Sequence, residues 1–352
     1  MGLGSVVDIE ALRTSTWQIQ QSRLTAVLEG EHERLSDELL QATYHQISNG
    51  KRLRAVLPLA LATAIGVATG QPLAPVASDA AIWCGLSLEF LHAASLCHDD
   101  VIDGDRLRRG EPTVWAQFGT EQAIVVGDFL LLSAYNTVHF APWPAETKLE
   151  ALRLLDRSAV RVAHGQALET QLKRHRQLPT NEAYRNIARG KTGGLFSLGC
   201  AWGGLAMSLT RAEVEALDEL GMQLGELYQV YDDLIDLTGS KGRDVDGGDL
   251  WEGKPSWLVA QRAEALSGRE RERLRDLVYM ERADKTAESV AELRAWLLGD
   301  GTADACRKWL DDKKREIVGV ASVTVPTAEP LFTQLVEVFT RHAGRPAALA
   351  MG

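Results

Sequence analysis

The chain has 352 residues, of which 45% are hydrophobic and 24% charged. That length allows about two domains and is ample for a large core, so no metal or disulfide is needed for stability. With 38 basic against 48 acidic residues the net charge is −10 and the isoelectric point about 5.4. This balance argues against a broad nucleic-acid or anionic-membrane surface. Asp8 and Glu10 precede any apolar run, so no signal peptide is expected. Residues 1–30 read as a less ordered N-terminal extension or helix. Helices are then expected at roughly 33–47, 51–69, 76–101, 120–138, 147–175, 181–208, 211–238, 256–280, 285–299, 302–318 and 328–343. Ala81 to Asp100 is apolar nearly all round, as in a helix at the middle of a bundle. Ala141 to Pro144 marks a turn, and the proline-free stretches from Pro144 to Pro179 and from Pro179 to Pro255 favour long helices. Thr192 to Thr210 is uncharged and long enough to cross a membrane. Its glycines (Gly193, Gly194, Gly199, Gly203 and Gly204) instead predict a buried helix with close neighbours. Ala55 to Gly70 reads the same way, and no membrane span is expected.

Gly239 to Lys254 is the one long Gly/Asp-rich loop, and Ser322 to Val325 is the only β-branched alternation. Residues 344–352 form a tail expected to be disordered. No repeat interrupts the pattern, so a single all-α domain over 1–352 is the simplest reading. Cys84, Cys97, Cys200 and Cys306 are scattered without a C-x-x-C pair, which suggests a reducing cytoplasm.

Two sequences carry the chemistry. Asp99, Asp100 and Asp103 lie in LCHDDVIDGDRLRRG; Asp232, Asp233 and Asp236 lie in YQVYDDLIDLTG. Each is a D-D-x-x-D at the end of a strongly apolar helix. At about 3.6 residues per turn the first and last aspartates share a face. A helix C-terminus disfavours anions, so three carboxylates there call for cations. Oxygen-only ligands suit Mg²⁺, which takes carboxylates together with phosphates and water. Two such clusters set opposite each other would hold a magnesium-diphosphate group between them. Lys51, Arg54, Arg108, Arg109, Lys191 and Lys254 stand beside these clusters or at buried helix starts and are natural diphosphate partners.

In these motifs the chain resembles the trans-isoprenyl diphosphate synthases, or polyprenyl synthetases. The similarity runs from about Gly50 to Trp257 and includes GKRLR at 50–54, HDDVID at 98–103 and RRGEPT at 108–113. GQ at 165–166, KTG at 191–193, YQVYDDLID at 228–236 and GGDLWEGK at 247–254 complete it. The resemblance implies an all-α isoprenoid-synthase-type bundle around a deep central cavity, usually a homodimer. It implies condensation of an allylic diphosphate with isopentenyl diphosphate, and Mg²⁺ as cofactor, about three ions with the bound diphosphate. Asp99, Asp100, Asp103, Asp232, Asp233 and Asp236 would be magnesium ligands, with Asp232 and Asp236 on the weaker-charged side and some contacts through water. Arg108 and Lys254, with Lys191, would hold the allylic diphosphate; Lys51, Arg54, His92 and Arg109 would hold isopentenyl diphosphate. Thr192 and Gln229 would turn oxygen dipoles toward the allylic cation, and the released diphosphate would take the proton.

Two positions depart from the family pattern. Ala55 stands where many relatives have proline, and Val245 where they often carry a lysine; Lys241 and Arg243 lie farther back and receive no role. His98 reads as structural, and for His92 a buried, satisfied histidine is the alternative to substrate contact. Product length is addressed by the helix before Asp99. Ala94 and Ser95 are small, Leu91 lies roughly 12 Å and Trp83 roughly 24 Å down the helix. An early aromatic floor is absent from this wall, which predicts a product of about twenty carbons or more. A class I terpene cyclase is the competing reading. Its N-x-x-x-S/T pattern fails at Asn49, Asn136, Asn181 and Asn186, which are followed at the fourth position by Leu53, Phe140, Arg185 and Gly190. A non-catalytic partner subunit is the third reading, against which all six aspartates stand.

Overall fold

A computed structural model of the chain describes residues 7–29, 35–48, 50, 52–238 and 248–340. Helix ends fall at prolines and glycines. In chain order α1 (Ile9–Glu29), α2 (Asp37–Ser48) and α3 (Leu57–Thr69) lead to α4 (Pro75–Asp103). Both α3 and α4 have proline in the first turn, and they close on Gly70 and Gly104, at φ 67° and 70°. A hairpin follows, β1 (Leu107–Arg108) against β2 (Glu111–Pro112), antiparallel with Leu107 opposite Pro112. Its central residues, Arg109 and Gly110, have φ 55° and 81°, the left-handed pair that a two-residue hairpin of primed type requires. Next come α5 (Val114–Phe118), α6 (Thr120–His139), α7 (Ala145–Arg174) and α8 (Asn181–Ala188). A π-helical turn over Arg189–Gly193 leads into α9 (Gly194–Ala206). The chain continues through α10 (Arg211–Thr238), α11 (Gly248–Glu252), α12 (Trp257–Ala265) and α13 (Gly268–Val278). It ends with α14 (Ala287–Leu298), α15 (Thr302–Thr324) and α16 (Glu329–Thr340). The fold is all-α.

Two compact units divide the chain. The first comprises residues 1–160, 195–221 and 320–334. Its centre is α4, which packs along α6 and also against α1, α2, α3 and α5. Leu86, Leu88 and Phe90 on α4 are fully buried, and the Ser87 hydroxyl donates to the Ala134 carbonyl of α6 at 2.7 Å. Close approach explains the glycine-rich stretch: a Cβ on Gly203 would meet the Leu61 side chain of α3 at 2.7 Å. α4 is long and apolar enough to cross a membrane, but 78% of its most apolar window is buried inside the protein. The second unit comprises 161–194, 222–319 and 335–352. There α12 packs on α8 and α14, and α13 packs on α14.

Several boundaries differ from expectation. The N-terminal stretch is the helix α1, with Leu24, Val27 and Leu28 buried and Gln20 donating to the Ile82 carbonyl of α4. The expected helix 181–208 is α8 and α9 joined by the π turn. The expected helix 256–280 breaks at Ser267 and Gly268, the latter at φ 53°. Within the expected loop 239–254, residues 248–252 are helical, while 239–247, with Lys241, Arg243 and Val245, lie outside the described residues. Ser322 to Thr324 belong to α15, not to a strand; burial of Ile317, Ala321 and Val325 on one face outweighs β propensity there. The tail 344–352 is likewise outside the described residues.

Candidate active site

The first acidic triad closes α4. Asp99 and Asp100 are buried, at 9% and 1% exposure, and Asp103 is the helix's last residue. The hairpin folds back so that Arg108 lies on Asp100: Nε and Nη2 reach Oδ1 at 2.7 and 2.6 Å. Thr113 and Trp115 both donate to the Asp105 carbonyl, at 2.8 and 2.7 Å, tying the hairpin to the helix end. Burial pushes the Asp100 carboxyl up to about 6, against the pull of Arg108, with Asp105 and Asp99 adding to the rise. Its other oxygen, Oδ2, is buried with no hydrogen-bond partner. A buried carboxylate oxygen without a donor is costly, and a hard divalent cation satisfies it. The all-oxygen donor set therefore fits Mg²⁺.

A basic cluster lies beside this triad. Arg54 Nη1 meets His92 Nε2 at 3.2 Å, and its guanidinium stands over the Phe196 ring at 5.1 Å. Arg109 Nη1 lies 3.1 Å from where a Cβ on Gly50 would be. Burial, and after it the charge of Arg108, lowers the Arg109 guanidinium, with Arg52 and Arg54 contributing. A guanidinium held down by burial and by neighbouring cations calls for an anion. Lys51 lies outside the described residues.

His92 is held well below the ordinary 6.5, first by burial and then by Arg54, Arg109, Arg108 and Arg52. Arginine only donates, so Nε2 accepts and the proton sits on Nδ1. Nδ1 is buried and without a hydrogen-bond partner, a neutral N–H donor for an anion. Below about pH 6.5 the unfolded chain binds a proton that the folded chain refuses, so His92 costs stability as pH falls and costs none above. The urea midpoint is expected to drop between about pH 7.5 and about pH 5.5. His92→Gln is expected to reduce that drop, as measured by paired denaturation curves.

Sequence reasoning passed over Arg52 and Glu89. They form a buried ion pair, and Arg52 also donates to the Ile47 carbonyl and lies over the Trp17 ring at 3.9 Å. A glutamate inside the apolar run of α4 was the available signal, since buried charges are paired.

In the second unit the other triad sits near the end of α10, with Asp233 and Asp236 buried at 4% and 3% exposure and Asp232 half-buried. Asp236 Oδ2 accepts from the Asp249 backbone N–H at 3.0 Å, anchoring α11. Both carboxylate oxygens of Asp233 accept hydrogen bonds from protein donors. Oδ1 accepts from Gln229 Nε2 at 2.9 Å; Oδ2 accepts from the Tyr184 hydroxyl at 2.7 Å and the Trp257 N–H at 2.9 Å. One residue on from Asp232 it is turned by about 100° round the helix, into the protein rather than along the Asp232–Asp236 face. Burial, with Asp249, raises it to about 7 against those three donors.

Lys191 and Thr192 stand on the π turn, a form that often marks functional sites. Glycine on two neighbouring helices permits it: a Cβ on Gly165 would lie 2.5 Å from the Lys191 nitrogen, and one on Gly225 2.5 Å from Gly193 Cα. Lys191 Nζ pairs with Glu169 at 3.2 Å, and the Thr192 hydroxyl donates to Gln229 Oε1 at 2.6 Å. Lys254 Nζ pairs with Glu252, and with Asp249 at 3.8 Å. Ala94 and Leu91 are buried and Ser95 half-buried. Trp83 is stacked on Phe140 at 5.1 Å with the Arg23 guanidinium 4.3 Å from its ring. Its ring faces are taken up by packing.

The sequence profile of the polyprenyl synthetase family matches residues 36–296. The chain belongs to that family. Its residues are 34% identical over 242 positions to a short chain isoprenyl diphosphate synthase of Methanothermobacter thermautotrophicus, covering 68% of this chain and 71% of the relative. They are 33% identical over 233 positions to a geranylgeranyl diphosphate synthase of Sulfolobus acidocaldarius, covering 64% and 67%. Among solved structures, geranylgeranyl pyrophosphate synthetase from Pyrococcus horikoshii superposes with a TM-score of 0.79 at 25% identity, over 94% of this chain and 97% of that one. The polyprenyl synthase of Caulobacter crescentus, complexed with calcium and isoprenyl diphosphate, gives 0.79 at 25% over 98% and 99%. As a polyprenyl synthetase the chain is a trans-prenyltransferase, the activity its motif order anticipates.

Proposed function

We propose that this synthetase joins an allylic diphosphate to isopentenyl diphosphate and extends the product to about twenty carbons or more, with Mg²⁺ as cofactor. The observation that carries this reading is the company kept by the α4 end. Asp100 with its orphaned oxygen grips Arg108, and the next residue, Arg109, joins Arg54 and the neutral His92 in a separate donor cluster. A carboxylate set and a second anion site together suit two diphosphates, whereas a cyclase needs one.

Asp99, Asp100, Asp103, Asp232 and Asp236 would hold the magnesium, which when bound neutralises charge building on the leaving diphosphate. Arg108, Lys191 and Lys254 bind that diphosphate; Lys254 and Lys191 exchange their present acidic partners for phosphate oxygens. Arg54, Arg109 and Lys51 bind the isopentenyl diphosphate by charge, and His92 by its neutral Nδ1–H. The Thr192 and Gln229 oxygens face the developing allylic cation as dipoles that are weak nucleophiles. Once the isopentenyl double bond has supplied the electron pair of the new C–C bond, the carbocation left on that unit loses a proton from an adjacent carbon to the released diphosphate. A second copy of the chain as partner is supported by apolar side chains exposed on α6 (Ile124, Val125 and Leu132) and α7 (Leu149 and Val160). The cytoplasm is the compartment that four free, buried cysteines suit.

Incubation with Mg²⁺, farnesyl diphosphate and isopentenyl diphosphate tests the assignment. A longer linear diphosphate is expected; a hydrocarbon product, or no turnover, overturns it. The length of the product is supported by the relatives named as geranylgeranyl diphosphate synthases and by the small side chains of Ala94 and Ser95. Ala94→Phe is expected to shorten the product by at least one five-carbon unit in a mass spectrum of the reaction, with the thermal midpoint recorded alongside. An unchanged product spectrum from a folded variant removes the chain-length argument.

A further inference from the structure

Thr192, Gln229, Asp233 and Tyr184 form an unbroken line of hydrogen bonds: 2.6 Å from Thr192 to Gln229, 2.9 Å from Gln229 to Asp233, and 2.7 Å from Tyr184 to Asp233. The line has a direction. An ionised carboxylate only accepts, and Asp233 collects three donors: the Tyr184 hydroxyl, the Trp257 N–H and the Gln229 amide nitrogen. Gln229 must therefore point Nε2 at Asp233 and Oε1 at Thr192. With an oxygen before it, the Thr192 hydroxyl must spend its one proton on Gln229. Thr192 is then left with lone pairs and no free proton, while Gln229 turns its Oε1, with a second lone pair, to the Thr192 side and keeps both N–H donors on the Asp233 side. An amide is symmetrical enough in shape to fit either way round, so Asp233 decides which way Gln229 sits.

We infer that Asp233 is a positioning residue: it fixes the Gln229 amide and, through it, the Thr192 proton, so that oxygen lone pairs meet the allylic cation. This rests on the proposed cation-facing role of Thr192 and Gln229 and explains why a third carboxylate is needed where its oxygens are filled by protein donors. Preorganised dipoles of the correct sign stabilise a developing charge without reorganisation, and reversed ones oppose it.

The amide and acid can be exchanged. Asp233→Asn keeps an oxygen for Tyr184 and Trp257 but turns an NH₂ toward Gln229, which must then rotate and present its own NH₂ to Thr192. Turnover is expected to fall roughly 10- to 100-fold, with KM for both diphosphates within about twofold. Calorimetric binding of Mg²⁺ with inorganic diphosphate is expected to remain as in the parent. Adding Gln229→Glu to Asp233→Asn restores an oxygen facing Thr192 and an acceptor facing the new NH₂, and most of the lost kcat is expected to return. The helical circular dichroism signal confirms folding, and the double substitution serves where the single one folds poorly. Loss of magnesium binding in Asp233→Asn, or failure of the paired exchange to recover kcat, overturns the inference. Thr192→Val separates the layers. If it leaves kcat untouched, the cation-facing reading fails, and the inference with it. If it lowers kcat while the exchange does not recover, the positioning role alone fails.

Discussion

Asp99→Asn is expected to lower kcat by about 10²- to 10³-fold and to raise the magnesium concentration needed for half-maximal rate, with the helical circular dichroism signal unchanged. Asp99 is buried at 9% exposure near the end of a helix whose last carbonyls already carry negative partial charge. The fold tolerates this concentration of carboxylates because Arg108 neutralises one of them, which leaves Asp99 and Asp103 sharing the neighbouring face four residues apart. The amide is nearly isosteric, so the packing of α4 on α6 survives while the ligand charge is lost. Titration of activity with Mg²⁺ checks the expectation. A magnesium requirement identical to the parent's would take Asp99 out of the ligand set. Removal of divalent ions by a chelator should act on the parent as the substitution does, to completion and reversibly on readdition of Mg²⁺.

Much of this site was legible because helices report through long-range periodicity and because D-D-x-x-D concentrates charge where apolar sequence ends. The all-α class followed from proline placement, composition and apolar spacing, and the helices α6 and α10 were expected with ends within a residue or so of those found. What was illegible is what depends on a partner brought in by the fold. The hairpin that swings Arg108 onto Asp100 has strands of two residues, too short for any alternation; only the left-handed Arg109–Gly110 pair makes it. The π turn carrying Lys191 and Thr192 reads as ordinary helix, because the close approach it makes is permitted by glycines, Gly165 and Gly225, on other helices. Asp233 looks identical to Asp100 in its motif. Its separate surroundings are set by Tyr184, 49 residues away along the chain, and by the N–H of Trp257. Identical motifs thus place their middle aspartates against different neighbours, an arginine in one case and a set of neutral donors in the other.

The buried pair Arg52–Glu89 carries the second large expectation. Arg52 is a non-glycine residue at φ 55°, a left-handed conformation that costs about 1–2 kcal/mol. It is held there by Glu89, by the Ile47 carbonyl and by the Trp17 ring. The two side chains are 4% and 8% exposed, so neither charge has recourse to water. Glu89→Ala leaves the guanidinium buried and uncompensated, and is expected to destabilise the protein by about 3–5 kcal/mol as read from urea unfolding. Glu89→Gln retains an acceptor of the same shape and should cost less. The consequence reaches the substrate, because the strained residue sits two positions before Arg54. The segment that follows runs so close to α4 that a Cβ on Gly85 would stand 2.0 Å from the Ala55 carbonyl oxygen. Once Arg52 relaxes, the Arg54 guanidinium loses its registration with His92. KM for isopentenyl diphosphate should then rise by more than KM for the allylic diphosphate. A stability loss with both KM values moving together would mean that the pair supports the fold without aiming Arg54. An unchanged urea midpoint would mean that water reaches the guanidinium after all.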